Sequence, residues 1–229
     1  MYADTLPLSD ELRAAHDRAL KKIVRPGPSW TGAERRAMVE SARSATNCSY
    51  CAARKSALSP SHVSGEHECS TDLPAVVVDA IHRIRTDPGR LTRSWFDEIT
   101  AAIGQPAYVE LVSVVNTSVI IDTLHSALDQ TLPSLPDAEP GDPTQAATGD
   151  VVDAGAWVPI TRAPRDMADT GLPAVPNILR AMGLVPDAVA LFFGTFRPHY
   201  SLKDIKLSIS QAQAELVASR VSAWNECFY

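Results

Sequence analysis

Apolar residues recur along most of this chain with the three- and four-residue spacing of amphipathic α-helices. The first such stretch runs from Asp10 to about Val24, with Ser9 placed to cap its start and residues 26–28 (Pro-Gly-Pro) placed to end it. Strand patterns bounded by glycine or asparagine are not evident, so we predict an all-α fold. Further helices are predicted over residues 34–46, 48–58, 73–84, 95–103, 107–128, 186–196 and 211–225.

The helical pattern is interrupted once over a long distance. Residues 132–149 are rich in proline, aspartate, glycine, threonine and alanine, and they show no hydrophobic period. Such a segment buries too little apolar surface to offset the entropy lost on ordering. We therefore predict a linker over residues 132–156, between a helical domain at 1–131 and a second helical domain at 157–229.

Two of the four cysteines, Cys48 and Cys51, stand three residues apart within this helical pattern. Thr46 or Asn47 is placed to cap a new helix, which would put both thiols in its first turn. Backbone N–H groups and the helix dipole favour a thiolate there. Lys55 lies one turn beyond Cys51 with Arg54 beside it, and both cations would lower a thiol pKa further. We expect a reversible disulfide, with Cys51 the more nucleophilic thiol.

Composition narrows the classes of function. The 229 residues are 45% hydrophobic and 21% charged, with a formal net charge of -6 and no basic run, which argues against nucleic-acid binding. No apolar run reaches about 18 residues and the first residues resemble no secretion signal, so we expect neither a membrane span nor export. In the reducing cytoplasm, a Cys-x-x-Cys pair is typically catalytic or metal-binding.

The surroundings of Cys48 occur a second time. Placing Cys227 on Cys48 aligns residues 214–229 with residues 35–50. Both segments combine an amphipathic helix, an asparagine within two residues of the cysteine, and a Cys-x-Tyr ending. This shared architecture predicts a tandem repeat of two related helical domains, of which the second is incomplete.

The motif and its context carry a family resemblance. Cys-x-Tyr-Cys is followed by a helix, a loop, residues 73–91 (LPAVVVDAIHRIRTDPGRL) and a long apolar helix. This order resembles the alkylhydroperoxidase D and carboxymuconolactone decarboxylase superfamily, in particular its two-domain peroxidase-related branch. The resemblance covers nearly the whole chain apart from the linker.

The resemblance implies an all-α homo-oligomer that reduces hydroperoxides without a cofactor. In the implied mechanism Cys51 attacks the peroxide and Cys48 resolves the sulfenic acid as a disulfide. A glutamate and a histidine relay protons, and a dithiol partner of thioredoxin-like or lipoyl type reduces the pair again.

The chain departs from the family pattern at both relay positions. Arg36 stands twelve residues before Cys48 where the family has glutamate, and Lys55 stands four residues after Cys51 where the family has histidine. Glu40 lies one turn beyond Arg36 on the same helical face and is the candidate replacement for the acid. In the second copy, Glu215 matches the family acid and Cys227 matches the first cysteine.

Other functions compete with the peroxidase hypothesis. We expect no metal at the dithiol, but Cys48, Cys51, His62 and His67 approach the spacing of a Cys2His2 zinc site. The dithiol would alternatively be the vestige of an active site in a non-catalytic helical oligomerisation protein. Decarboxylase activity is disfavoured because the chain offers no candidate general base beyond isolated histidines.

The second copy stops one residue short of its second cysteine position. Three explanations are open: the chain was cut there, the second copy is degenerate, or the next codon is a UGA that encodes selenocysteine. The third is favoured, since a selenol ionises at neutral pH without the help that a thiol needs. The expectation is then a selenoprotein truncated after Tyr229.

Overall fold

The computed structural model describes residues 2–145, 149–161, 177–199 and 208–224. Within these residues the chain forms nine α-helices and one short antiparallel hairpin, which confirms the all-α class. The elements are α1 (Asp10–Ile23), α2 (Gly32–Ser44), α3 (Ser49–Ser56), α4 (Ala75–Thr86), α5 (Arg93–Ile103), α6 (Gln105–Ala127), β1 (Val151–Val152), β2 (Ile160–Thr161), α7 (Asn177–Met182), α8 (Pro186–Phe196) and α9 (Gln211–Trp224).

Side-chain caps fix where the first helices begin. Ser9 accepts a hydrogen bond from the backbone N–H of Leu12 at the start of α1, as its position in the sequence predicts. Thr31 and Glu34 form a reciprocal capping box at the start of α2. These caps satisfy backbone donors that have no partner inside the helix, so the connection between α1 and α2 has a defined geometry.

Helix α6 lies at the centre of the fold, in contact with α1, α2, α4, α5, α7 and α8. By length and composition it could cross a membrane, which differs from the expectation that no segment would meet that test. More than half of its apolar window is buried in the protein. Its acidic side chains have partners inside the fold, Glu110 with Arg35 and Asp122 with Arg43.

The predicted linker lies partly against the first helices. Residues 132–145 form no helix or strand, but the backbone N–H of Glu139 donates to the carbonyl of Val24 and that of Thr144 donates to the carbonyl of Gly27. The hairpin pairs Val151 with Thr161. The expectation that the chain contains no strands was thus wrong for residues 151–152 and 160–161.

The described part of the second segment shares the core of the first. Met182 from α7 and Ala188 and Leu191 from α8 belong to the same buried cluster as α6 residues such as Val114. The Ser113 hydroxyl of α6 donates to the Ala188 carbonyl at 2.7 Å. The division into two domains and the tandem repeat stay predictions, since residues 225–229, including Cys227, lie outside the described residues.

Candidate active site

Cys48 lies at the point where the chain enters α3. Helix α2 is followed by a 3-10 turn over Ala45–Asn47, and Cys48 then takes an extended conformation and is the N-cap of α3. Cys51 follows in the first turn of α3. Thr46 and Asn47 were therefore the wrong candidates for the cap, because the 3-10 turn carries the chain past them. Both cysteines are free thiols.

Two histidines from later in the chain lie against these thiols. The Cys51 sulfur is 3.4 Å from Nδ1 of His67 and 3.3 Å from Nδ1 of His82. Nδ1 of His67 is also 3.9 Å from the Cys48 sulfur. His67 comes from the loop between α3 and α4, and His82 comes from the buried face of α4. Tertiary packing thus assembles two thiols and two imidazoles that the sequence separates.

Asp79 holds His67 in this orientation. Its carboxylate lies 3.0 Å from Nε2 of His67, so Nδ1 of the same ring faces the thiols. Nε of Arg83 donates to the carboxylate at 2.9 Å, and the indole N–H of Trp95 donates to it at 3.2 Å. Burial disfavours the charged carboxylate, but these three partners outweigh it and lower the pKa of Asp79 to about 2. The thiols, the His67 imidazole and the Asp79 carboxylate thus form a continuous chain of contacts.

The two thiols differ in protonation. Burial opposes ionisation of Cys48, but the backbone N–H groups of Cys51 and Glu68 and the His67 ring lower its pKa to about 7. Burial and the neighbouring Cys48 raise the pKa of Cys51 to about 12. The expectation that Cys51 is the more readily ionised thiol was wrong, because the N-cap position and its backbone donors belong to Cys48.

The pKa values of the two imidazoles are shifted in opposite directions. Burial would lower the pKa of His67, but its hydrogen bonds with Asp79 and Cys48 raise it. Burial and the proximity of His67 lower the pKa of His82 to about 4, so His82 is neutral near pH 7. His67 is therefore the ring equipped to take and return a proton.

The site is covered by the loop before α4. Cys48 is 2% exposed and Cys51 is 5% exposed. The Tyr50 hydroxyl donates to the carbonyl of Val63, and the Tyr50 ring contacts the His67 ring edge-on at 4.9 Å between centroids. The Ser49 hydroxyl donates to the Glu68 carboxylate. Residues 63–69 thus close over the thiols.

Of the charged residues expected near the thiols, Lys55 and Glu40 lie away from the site, and only Arg54 acts on it. Lys55 is exposed, and the cation that favours the Cys51 thiolate is its neighbour Arg54. Glu40 forms a half-exposed ion pair with Arg36 at 3.1 Å on α2. The carboxylate that contacts His67 is that of Asp79.

The alternative zinc ligand set suggested by the sequence is only partly assembled. His62 is exposed on the 3-10 turn Pro60–His62 and is not among the clustered ligand atoms of the described residues, whereas His67 is. Glu215 lies on α9 and Cys227 lies outside the described residues, so neither can be placed at this site.

Asp79 and His82 are the site residues that sequence reasoning missed. They stand three positions apart on a helix whose apolar side includes Val77, Val78 and Ile81. Their position beside the apolar face of α4 could have indicated a site, because buried polar side chains need partners.

No family model matches this chain, and comparisons with curated proteins and with solved structures find no match either.

Proposed function

We propose that this protein is a thiol-dependent hydroperoxide reductase that uses Cys48 and Cys51 as its redox pair and His67, held by Asp79, as its proton relay. The observation that carries the proposal is the contact of both thiols with one imidazole nitrogen while a carboxylate holds the other nitrogen of the same ring. This is the arrangement that activated thiol nucleophiles require.

The reaction begins at Cys48, which occupies the N-cap position of α3 and whose pKa is lowered by backbone N–H groups. Its proton passes to His67, and the thiolate attacks the terminal oxygen of the hydroperoxide. A sulfur–oxygen bond forms, the oxygen–oxygen bond breaks, and the alcohol leaves with the proton returned by His67. Cys48 is then a sulfenic acid.

Cys51 completes the turnover from the first turn of α3. Its sulfur attacks the Cys48 sulfur, a disulfide forms, and water leaves with the Cys51 proton. A dithiol reductant then exchanges with this disulfide. Cys48 and Cys51 return to thiols, and the reductant is oxidised to its own disulfide. The order of attack is the reverse of the one implied by the family resemblance, because Cys48 holds the N-cap position.

Access to the thiols favours small peroxides. Both cysteines are buried, and Tyr50 beside them is hydrogen-bonded to the Val63 carbonyl, so a small peroxide should reach Cys48 more readily than a bulky one. We expect hydrogen peroxide to react faster than an aromatic hydroperoxide such as cumene hydroperoxide.

The test uses reduced, chelator-treated full-length protein with hydrogen peroxide and dithiothreitol. Wild type should consume peroxide and, without reductant, lose two hydrogen atoms per chain by intact mass. Cys48→Ser should lose consumption by at least about 100-fold, since no thiolate remains at the attacking position. Cys51→Ser should accumulate a Cys48 sulfenic acid that dimedone labels.

Cys69→Ser is the matched control, because Cys69 contacts Ser41 and Thr71 rather than the relay. It should leave peroxide consumption within about two-fold of wild type. Consumption by Cys48→Ser at the wild-type rate would contradict the proposal. A wild type that consumes no peroxide above the uncatalysed rate would favour the vestigial dithiol instead.

A further inference from the structure

Four lone-pair donors converge at the dithiol. One ligand atom from each of Cys48, Cys51, His67 and His82 lies within 4.8 Å of all the others. The Cys51 sulfur lies 3.3 Å from His82 Nδ1 and 3.4 Å from His67 Nδ1, and the Cys48 sulfur lies 3.9 Å from His67 Nδ1. Three of the four residues are buried, and His67 is half-buried.

The three sulfur–nitrogen separations, 3.3–3.9 Å, are close to the edges of a tetrahedron around zinc. Zinc–sulfur bonds of about 2.3 Å and zinc–nitrogen bonds of about 2.0–2.1 Å at tetrahedral angles place the ligand atoms about 3.3–3.8 Å apart. Two thiolates and two neutral imidazoles also suit zinc, whereas magnesium and calcium prefer oxygen ligands.

We propose that Cys48, Cys51, His67 and His82 bind one Zn²⁺ ion through both sulfurs and both Nδ1 atoms. Asp79 supports this site from the second shell, since its carboxylate contacts the other nitrogen of His67 at 3.0 Å. Such a carboxylate fixes the orientation of the ring and raises its basicity as a ligand. The set differs from the one suggested by spacing in the sequence, because His82 takes the place of His62.

Zinc binding does not depend on peroxidase activity, but it bears on the proposed function. The metal would hold both thiolates, whereas a disulfide offers no thiolate ligand. If the proposed reaction occurs, the zinc-bound and oxidised forms are therefore mutually exclusive, and zinc protects the dithiol.

The experiment titrates reduced, metal-free full-length protein with Zn²⁺ against a chromophoric chelator under anaerobic conditions. We expect one zinc per chain. Cys51→Ser and His82→Gln should each weaken binding by at least about 100-fold because each removes a ligand. Asp79→Asn should weaken it by about 10- to 100-fold, the range for second-shell carboxylates. Circular dichroism checks that each variant is folded.

His62→Gln is the matched control, because His62 is exposed and belongs only to the alternative ligand set. It should bind zinc as wild type does. The four-ligand site is overturned if reduced wild type binds no zinc, if His82→Gln binds as tightly as wild type, or if His62→Gln loses the metal.

Co²⁺ bound to wild type gives a measurement that needs no variant. Tetrahedral coordination by two thiolates should produce intense visible bands and a near-ultraviolet sulfur-to-cobalt charge-transfer band. A weak octahedral spectrum would overturn the site. Peroxide consumption by the chelator-treated protein tests the proposed function separately, so either idea can fail without the other.

Discussion

The protein contains two buried histidine clusters that differ in their partners. The first is the dithiol site with His67 and His82. The second joins α1 to the turn after α8: the Tyr2 hydroxyl lies 2.5 Å from Nδ1 of His16, and Nε2 of His16 lies 2.7 Å from Nε2 of His199. Tyr2 also stacks on His125, with 4.1 Å between ring centroids.

A hydrogen-bonded carboxylate distinguishes the two clusters. Asp79 touches His67 and helps to raise its pKa. In the second cluster, burial and the neighbouring rings lower the pKa of His16 to about 4. The nearby Asp122 is engaged by two hydrogen bonds of 2.8 Å from Arg43. The second cluster is therefore a neutral structural contact, while the first can exchange protons. Burial of histidine alone does not make a reactive site.

The largest expected effect is loss of stability in acid through His16. Its pKa is about 4 in the folded protein and near its ordinary 6.5 when unfolded, so below pH 6.5 the unfolded chain binds more protons. The stability that the folded protein gains from keeping His16 neutral is fully present above pH 6.5 and is lost as the pH falls towards 4. Through His16 the free energy of unfolding changes by up to about 1.4 kcal/mol per pH unit, and by about 3 kcal/mol in total.

Urea unfolding of chelator-treated protein between pH 7 and pH 4 measures this effect. His16→Gln should unfold with a shallower pH dependence than wild type, whatever its stability at pH 7. His62→Gln, an exposed histidine, should keep the wild-type slope. An unchanged slope in His16→Gln would show that the second cluster is not held neutral.

The next effect concerns the carboxylate of the first cluster. Asp79→Asn should slow peroxide consumption by roughly 100-fold, the low end for a positioned acid–base group. His67 would lose its charged partner, so the pKa seen in the pH–rate profile should fall. Tyr2→Phe alters only the second cluster and should leave the rate within about two-fold. A pH profile unchanged in Asp79→Asn would mean that the carboxylate does not act through His67.

Local sequence signals predicted the elements better than the site. Ser9 specified the start of α1 because a cap acts on its own helix. The Cys48–Cys51 pair was also predicted from a local signal, because the two thiols stand three residues apart in the sequence. Asp79 and His82 were missed because their contacts with the thiols and His67 come from packing α4 against α3 and the loop, and His82 stands 31 residues from Cys51. Lys55 was overvalued because helical spacing does not decide which of two adjacent cations turns inward.

A smaller effect is expected for the stability of the second cluster. Tyr2→Phe keeps the ring that stacks on His125 but removes the hydroxyl beside Nδ1 of His16. A buried ring nitrogen then lacks its partner, which costs about 1–3 kcal/mol of unfolding free energy. Urea unfolding at pH 7 measures this loss. Wild-type stability in Tyr2→Phe would show that the hydroxyl contributes no net hydrogen bond.

The smallest effect tests how far Asp79 depends on its cation. Arg83 and Arg93 each form an ion pair one helical turn from their partner, at 2.8 Å to Asp79 and to Asp97 respectively. The first pair is partly buried and the second is exposed. Arg83→Gln should cost about 1 kcal/mol of unfolding free energy, and Arg93→Gln about 0.3 kcal/mol, because water screens the exposed pair. Without Arg83 the pKa of Asp79 rises towards its ordinary value, so only Arg83→Gln should also change the pH–rate profile of peroxide consumption. Equal effects of the two substitutions on stability and on the profile would mean that Asp79 is held by His67 and Trp95 alone.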